Sequence, residues 1–379
     1  MVETKVFDAD AHVIEPPSLY FELLEARFAE RVRPDPTLGG HHGRLLPLLD
    51  GSPSFGGSEW MREVLRSDRG RDILVERFGD VAERGFDPPA LLDALDRQGV
   101  TCAALFPSFS LHVPFGATVA PDLAAALARA YNRWIAEVAA AGRGRLLGVA
   151  LAPLHDPAAA ATEVRRAVEE DGVRAVMVRP NPVHGRSLTH PDHDAFFGLL
   201  EDLDAPMLLH EGLGGRHEFA GDRFDTWYAR HAVCHPFEMM LALTGLCVDG
   251  VFDRHPRLRV AVLESGTGWL PWWLDRLDEH HELFGPSERG ELARTPSDYF
   301  ARHCVIGTET EDRFARATVD AVGADHVVWA SDFPHLEARY PDGVAEFVAR
   351  SGLPEADLQE VLWEAPCRLY GVDPVAMRS

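Results

Sequence analysis

The sequence predicts an α/β fold, specifically a (β/α)8 TIM barrel, and three observations carry that expectation. Eight short apolar runs recur along the 379 residues. Amphipathic stretches with Pro near their start and Gly at their close separate most of these runs, as helix punctuation requires. The ionisable residues that attract attention fall at the C-terminal ends of the runs, which is where such a barrel places its chemistry.

In chain order the runs are KVFDADAHV (5–13), VTCAALFPS (100–108), RLLGVALAPL (145–154), VRAVMVRPN (173–181), APMLLHEG (205–212), LRVAVLESG (258–266), HCVIGTET (303–310) and HVVWASDFPH (326–335). Near-continuous apolar strands alternating with helices such as PDLAAALARAYNRWIAEVAAAG indicate a parallel sheet covered on its outer face. No GxGxxG turn follows the first run, so an open dinucleotide-binding sheet lacks its physical marker. The whole chain, 1–379, reads as one barrel domain. Two connections far exceed the usual length of about 2 to 6 residues. They define insertions after strands 1 and 5, over 16–98 and 211–255, that are expected to form a lid or substrate pocket. His41 and His42, in the first of them, read as a solvated loop.

At 46% hydrophobic residues the chain can bury a large core. No run approaches the ~18 apolar residues of a membrane span, and the opening Met-Val-Glu-Thr-Lys lacks a signal-peptide pattern, so a cytoplasmic protein is expected. The five cysteines are widely spaced and contain no CxxC, which argues for free buried thiols. A net charge of −23 opposes nucleic-acid binding and leaves any anionic substrate dependent on local cations.

Asp8, Asp10 and His12 occupy alternate positions of the first strand and therefore share a face. His12, His210, Glu264, Asp332 and His335 lie at or just beyond strand ends. DADAH on strand one, a His on strand five, the run from His235 to His280 and SDFPH on strand eight together resemble the amidohydrolase-related barrels, notably the aminocarboxymuconate semialdehyde decarboxylase branch. The resemblance implies a metal set of Asp10, His12, His210, Glu264 and Asp332, with His335 close by. Asp10 and Glu264 stand where members usually carry histidine, which enriches the set in oxygen donors and favours iron or manganese over zinc.

Three carboxylates in one barrel mouth repel each other unless cations neutralise them, and two divalent ions would do so. On that ground the sequence resembles the TIM-barrel non-haem diiron monooxygenases, including the C-5 hydroxylase of platensimycin and platencin diterpenoid antibiotic biosynthesis. That resemblance implies two iron ions, O2, an external reductase or other electron donor, and a small-molecule substrate that could be linked to coenzyme A. Catalytic roles fall on Asp332, Glu264 and His210. Glu15, His235 and Glu238 would orient imidazoles, and Arg179 would meet an anionic substrate group. The alternative is a single metal, Zn or Mn, serving a hydrolase or a non-oxidative decarboxylase. Trp269, Trp272 and Trp273 read as packing or as a homodimer surface.

Overall fold

The computed structural model describes residues 5–39, 41–55, 63–67, 69–212, 223–288 and 292–373. Its centre is a parallel sheet of β1 (Phe7–Val13), β2 (Cys102–Pro107), β3 (Leu146–Leu151), β4 (Ala175–Val178), β5 (Met207–Leu209), β6 (Val260–Val262), β7 (Cys304–Glu309) and β8 (Val327–Ala330). Neighbours in the sheet are neighbours in sequence throughout. Each expected run contains one of these strands, shorter than the run because its polar end turns into the following loop. The strands are almost wholly buried, as a sheet covered by helices demands. The fold is a (β/α)8 barrel.

Closure between β1 and β8 positions the site. A register irregularity in β1 between Asp8 and Ala11 re-aims the side chains that follow it. His12 N donates to Phe333 O at 2.6 Å and Asp332 N to Asp10 O at 3.1 Å. Asp8, fully buried, accepts from Ser331 N at 2.9 Å, from the Ser331 hydroxyl and from Asp10 N at 3.3 Å. Asp8 is thus a clamp across the seam, whereas Asp10 and His12 turn into the mouth. On the outer side of β1, Phe7 stacks on Tyr370 with ring centroids 5.1 Å apart, so the C-terminal helix Ala365–Tyr370 closes the same seam from outside.

The surrounding helices begin where the sequence punctuation places them. Asp87 caps Pro88–Gln98 through Ala90 N, and Gly99, at φ 72°, ends it in the left-handed conformation that glycine tolerates. Asp156 caps Pro157–Glu169. Between β1 and β2 the chain builds a small antiparallel sheet of Val32–Arg33, Leu48–Leu49 and Ser52–Pro53 together with the helix Arg69–Phe78. His42 is only 4% exposed there, so the solvated-loop expectation fails for it: its ring lies against that of His41, with centroids 4.0 Å apart, in an insertion whose apolar residues join the main core. Residues 213–222 of the second insertion lie outside the described residues.

The second insertion continues as the helix Trp227–Val248, long and apolar enough by length and composition to cross a membrane, although Arg230, His231, His235 and Glu238 keep its apolar run interrupted, as the sequence expectation has it. Its apolarity has a local cause. Nearly half of it, 44%, is buried in the protein, and His235, Pro236 and Glu238 interrupt it on the covered side. Trp269 and Trp273 pack inward, their indole N–H groups donating to Ser265 O and Thr244 Oγ1, while Trp272 is 57% exposed. All five cysteines are free and buried.

Candidate metal centre and active site

The barrel mouth gathers polar atoms that the protein itself leaves unsatisfied. His12 and His210 are fully buried. Their Nδ1 atoms contact main-chain oxygens, His12 to Pro107 O at 2.7 Å and His210 to Glu211 O at 2.6 Å. A carbonyl only accepts, so each Nδ1 carries the proton and each Nε2 presents a lone pair to the mouth. Around them His12 Nε2 lies 3.5 Å from Asp10 Oδ1 and 3.1 Å from Asp332 Oδ1. His210 Nε2 lies 3.5 Å from Asp10 Oδ2 and 2.9 Å from Glu264 Oε2. Both Nε2 atoms, Asp10 Oδ1, Glu264 Oε2 and both Asp332 oxygens are buried without a hydrogen-bond partner. Lone pairs facing lone pairs at such distances are stable only with a cation between them. Asp10, His12 and His210 form one group with metal-ligand spacing, and His12, Asp332 and His335 another. The donor set therefore fits a divalent cation held by Asp10, His12, His210 and Asp332, with Glu264 alongside.

The backbone strains to build this cluster. Glu264 and Asp332 adopt φ of 47° and 56°, a region that costs a residue bearing Cβ about 1 kcal/mol or more. Both residues end a barrel strand, where the turn aims the carboxylate across the mouth. Gly212 reflects the same crowding, since a Cβ there would stand 2.5 Å from Arg179 Nη1 and 2.9 Å from Leu111 O.

The electrostatics are set by burial and by pairing. Burial raises Asp10 well above the usual carboxylate range, helped by Glu264 and Asp332. Burial opposes the charge of His335, but Asp332, whose Oδ1 is 2.7 Å from His335 Nδ1, outweighs it and brings the imidazole up to about 9. His235, 4% exposed and 3.4 Å from Glu264 Oε1, is brought to about 9 in the same way against its own burial. Both pKa values exceed the ordinary 6.5, so the stabilisation they represent is complete below pH 6.5 and disappears as the pH climbs through 9. Metal-free protein should therefore lose thermal stability between pH 7 and 9.5, and a His235→Gln/His335→Gln double variant should show a flatter profile. Equal slopes for the two proteins in thermal melts would contradict the assignment.

The other sequence candidates separate. Glu15, 2% exposed, accepts from the N–H groups of Ser108, Phe109 and Ser110. It holds the loop whose Ser108 hydroxyl meets His335 Nε2 at 3.1 Å. Glu238 is buried behind the site, and that burial, with Glu211 nearby, pushes it to about 6. Arg179 is committed to Glu211 at 2.6 Å, to Leu111 O and to Asn181 Oδ1. A cavity of about 390 Å³ opens onto the cluster, lined among others by His231, His235, Glu264, Glu309, Asp332 and Glu337. Sequence reasoning passed over Ser108, His112, His231 and Glu309. Ser108 and Glu309 follow or end strands 2 and 7, so the strand-end rule applied to every polar residue would have found them.

A family model described as amidohydrolase matches residues 7–372. The chain belongs to the amidohydrolase family. It is 28% identical over 303 residues to the gamma-resorcylate decarboxylase of Rhizobium sp. (strain MTP-10005), covering 74% of this chain and 86% of that protein. It is 26% identical over 304 residues to the 2-amino-3-carboxymuconate-6-semialdehyde decarboxylase of Dictyostelium discoideum, covering 78% and 80%. Among solved structures, an amidohydrolase of Mycobacterium avium subsp. paratuberculosis K-10 shares the fold with a TM-score of 0.78 at 20% identity, covering 98% of this chain and all of that one. The 5-carboxyvanillate decarboxylase of Novosphingobium aromaticivorans DSM 12444, complexed with manganese and 4-hydroxy-3-methoxy-5-nitrobenzoic acid, does so at 0.68 and 19%, covering 97% and 96%.

These relatives overturn the expectation of a diiron monooxygenase. The two curated relatives and the Novosphingobium enzyme are decarboxylases, and the structure of the last holds manganese. The oxidoreductase reading falls with it, as do the two irons, O2, the external electron donor, the coenzyme A-linked substrate and the link to antibiotic biosynthesis. The structure supplies the physical reason. The sequence argument required two cations because it counted only carboxylates. Here Glu264 and Asp332 already have cationic imidazole partners in His235 and His335, which lie 3.4 and 2.7 Å from them. One divalent ion then suffices.

Proposed function

We propose that this amidohydrolase is a metal-dependent, non-oxidative decarboxylase acting on a small aromatic or enoic carboxylic acid. The observation that carries the reading is the cage of unpartnered Nε2 and carboxylate atoms beside His235, an imidazole that holds a proton at neutral pH. The activities of the relatives supply the reaction class.

The reaction replaces a carboxylate by hydrogen. A proton adds to the carbon bearing the carboxylate, the C–C bond breaks, CO2 leaves and its electron pair stays on the skeleton. No electrons enter or leave, so neither O2 nor a reductant is needed. A divalent cation held by Asp10, His12, His210 and Asp332 would anchor the substrate's oxygens and polarise them. His235 lines the mouth and is oriented by His231 O at Nδ1, 3.2 Å away, and by Glu264 at Nε2. It is placed to deliver the proton from Nε2, and Glu264 stabilises the charge it carries beforehand. Asp332, paired with His335, takes part in the same proton inventory. The helix Trp227–Val248, whose His231 and His235 line the cavity, would help to keep water from the reacting carbon.

The test is strictly anaerobic turnover. Protein loaded with Mn2+ and offered a panel of hydroxybenzoates and carboxymuconate-type acids is expected to release one CO2 per substrate consumed. The rate should be the same with and without O2, and a chelator should abolish it. A requirement for O2 would defeat the proposal, as would turnover of amides or esters in preference to carboxylates.

A further inference from the structure

His112 has no part in the cage described above, yet its surroundings give it a task. It lies between two short 3-10 turns, Phe109–Leu111 and Val113–Phe115, in the loop after β2. That loop is built around the metal cluster. Pro107 O receives His12 Nδ1, the Ser108 hydroxyl meets His335, and Leu111 O accepts from Arg179 Nη1 at 2.9 Å. The His112 imidazole feels the charges of Arg179, His335, Glu264 and His235. His112 directly follows Leu111, whose carbonyl meets Arg179 at the end of β4, so the same loop holds its ring beside the barrel mouth. On its other side the edge of Phe55, from the first insertion, meets the ring at 5.0 Å between centroids.

The ring is 8% exposed, and its Nε2 is buried without a hydrogen-bond partner. A buried imidazole nitrogen with nothing to bond is costly unless a ligand completes it. We propose that His112 is a substrate-binding residue, whose neutral imidazole hydrogen-bonds through Nε2 to an oxygen of the bound carboxylic acid or its ring hydroxyl beneath Phe55. The inference deepens the decarboxylase reading and rests on it for the identity of the ligand.

Neutrality suits the reaction. In a decarboxylation negative charge leaves the carboxylate and moves into the carbon skeleton. A further cation on the carboxylate, beyond the metal, would add to ground-state binding, whereas a neutral donor binds without that bias. Burial, with Arg179 and His335 nearby, pushes His112 down to about 3, so it stays uncharged. The neighbouring arginine is already engaged with Glu211.

The probe is 4-hydroxy-3-methoxy-5-nitrobenzoic acid, titrated optically into the Mn2+-loaded full-length protein. His112→Phe, which keeps an aromatic ring but no nitrogen, is expected to bind the probe about 10- to 100-fold more weakly, the scale of one hydrogen bond to a charged oxygen. Metal content and melting temperature should remain those of the parent. His112→Gln, whose amide can reach the same point, should recover most of the affinity. With a turned-over substrate the loss in His112→Phe should appear mainly in KM. Unchanged probe affinity in His112→Phe would overturn the proposal, as would a His112→Gln variant no better than Phe. Should His112→Phe fail to fold, the imidazole 15N resonances of His112 in the parent protein decide. They must shift on probe binding, and constancy refutes the contact. CO2 release by the parent with equal probe affinity in both variants sinks this inference alone. A parent that binds Mn2+ but neither binds the probe nor releases CO2 from any acid of the panel sinks the decarboxylase reading with it.

Discussion

Replacing Asp332 by alanine is expected to remove bound metal and to lower CO2 release by about 10³-fold or more, the several kcal/mol that a metal's charge supplies to a transition state. Two geometric facts make this substitution severe. Asp332 is 5% exposed and sends its carboxylate into the mouth, Oδ1 standing 3.1 Å from His12 Nε2. It is also the group that keeps His335 charged, because its Oδ1 stands 2.7 Å from His335 Nδ1. Without it, only the weaker influences of Glu264 and Glu337 offset the burial that opposes His335's charge, and the imidazole pKa should fall from about 9 toward its ordinary 6.5. Metal analysis, a CO2 assay and NMR titration of His335 read the three consequences separately. A variant that retains stoichiometric metal, or whose His335 still titrates near 9, would show that Asp332 is not the hub the geometry makes it.

Much of this site was legible from the chain alone, for a reason rooted in barrel geometry. In a closed parallel barrel each strand end faces the same mouth, so a residue's place along its own strand is enough to bring His12, His210, Glu264 and Asp332 together without any knowledge of long-range packing. The eight strands were legible on the same principle, since apolar runs of about that length between capped helices have few other arrangements. What the chain could not reveal depends on loops. Glu15 sits two residues beyond the first run, and only the path of the β2 loop decides that it caps Ser108, Phe109 and Ser110 rather than touching an imidazole. Arg179 ends β4 facing the mouth, but Glu211 reaches it first. Asp8 shares the alternation of Asp10 and His12, yet the irregularity after it turns it toward Ser331. His112 escaped notice because a 3-10 turn, not a strand, carries it.

The metal count failed for a different reason. Formal charge in a sequence assumes ordinary pKa values, while a barrel mouth redistributes protons among its groups. Neutral His and charged Asp or Glu are the default assignment at pH 7, and under it three carboxylates call for two cations. Ion pairing reverses part of that default by holding protons on His235 and His335 beside Glu264 and Asp332. Proton bookkeeping of this kind needs distances such as the 3.4 Å from His235 to Glu264, which no sequence spacing contains.

Asp8→Ala is expected to be the most destabilising single change near the site, by about 3 kcal/mol, although Asp8 touches neither metal nor substrate. Its carboxylate serves Ser331 N, the Ser331 hydroxyl and Asp10 N across the β1–β8 seam. Alanine leaves those donors buried and unbonded, at roughly 1 to 3 kcal/mol each, partly recovered by relaxation. Urea unfolding should show a lower midpoint with an unchanged slope. Because the seam also carries Asp10 and Asp332, metal affinity should fall by about 10- to 100-fold, as when groups that orient metal ligands are lost. The pH dependence gives a sharper check with Asp8→Asn. Burial raises Asp8 to about 6 from 3.8, so the folded protein binds a proton there that the unfolded chain releases, and parental stability falls as the pH rises from 4 through 6. The asparagine variant lacks this slope, so its deficit relative to the parent should be largest near pH 4 and smallest above pH 6. A deficit that widens over that range would mean Asp8 is ionised throughout, and the seam would then be held by a charge rather than by a shared proton.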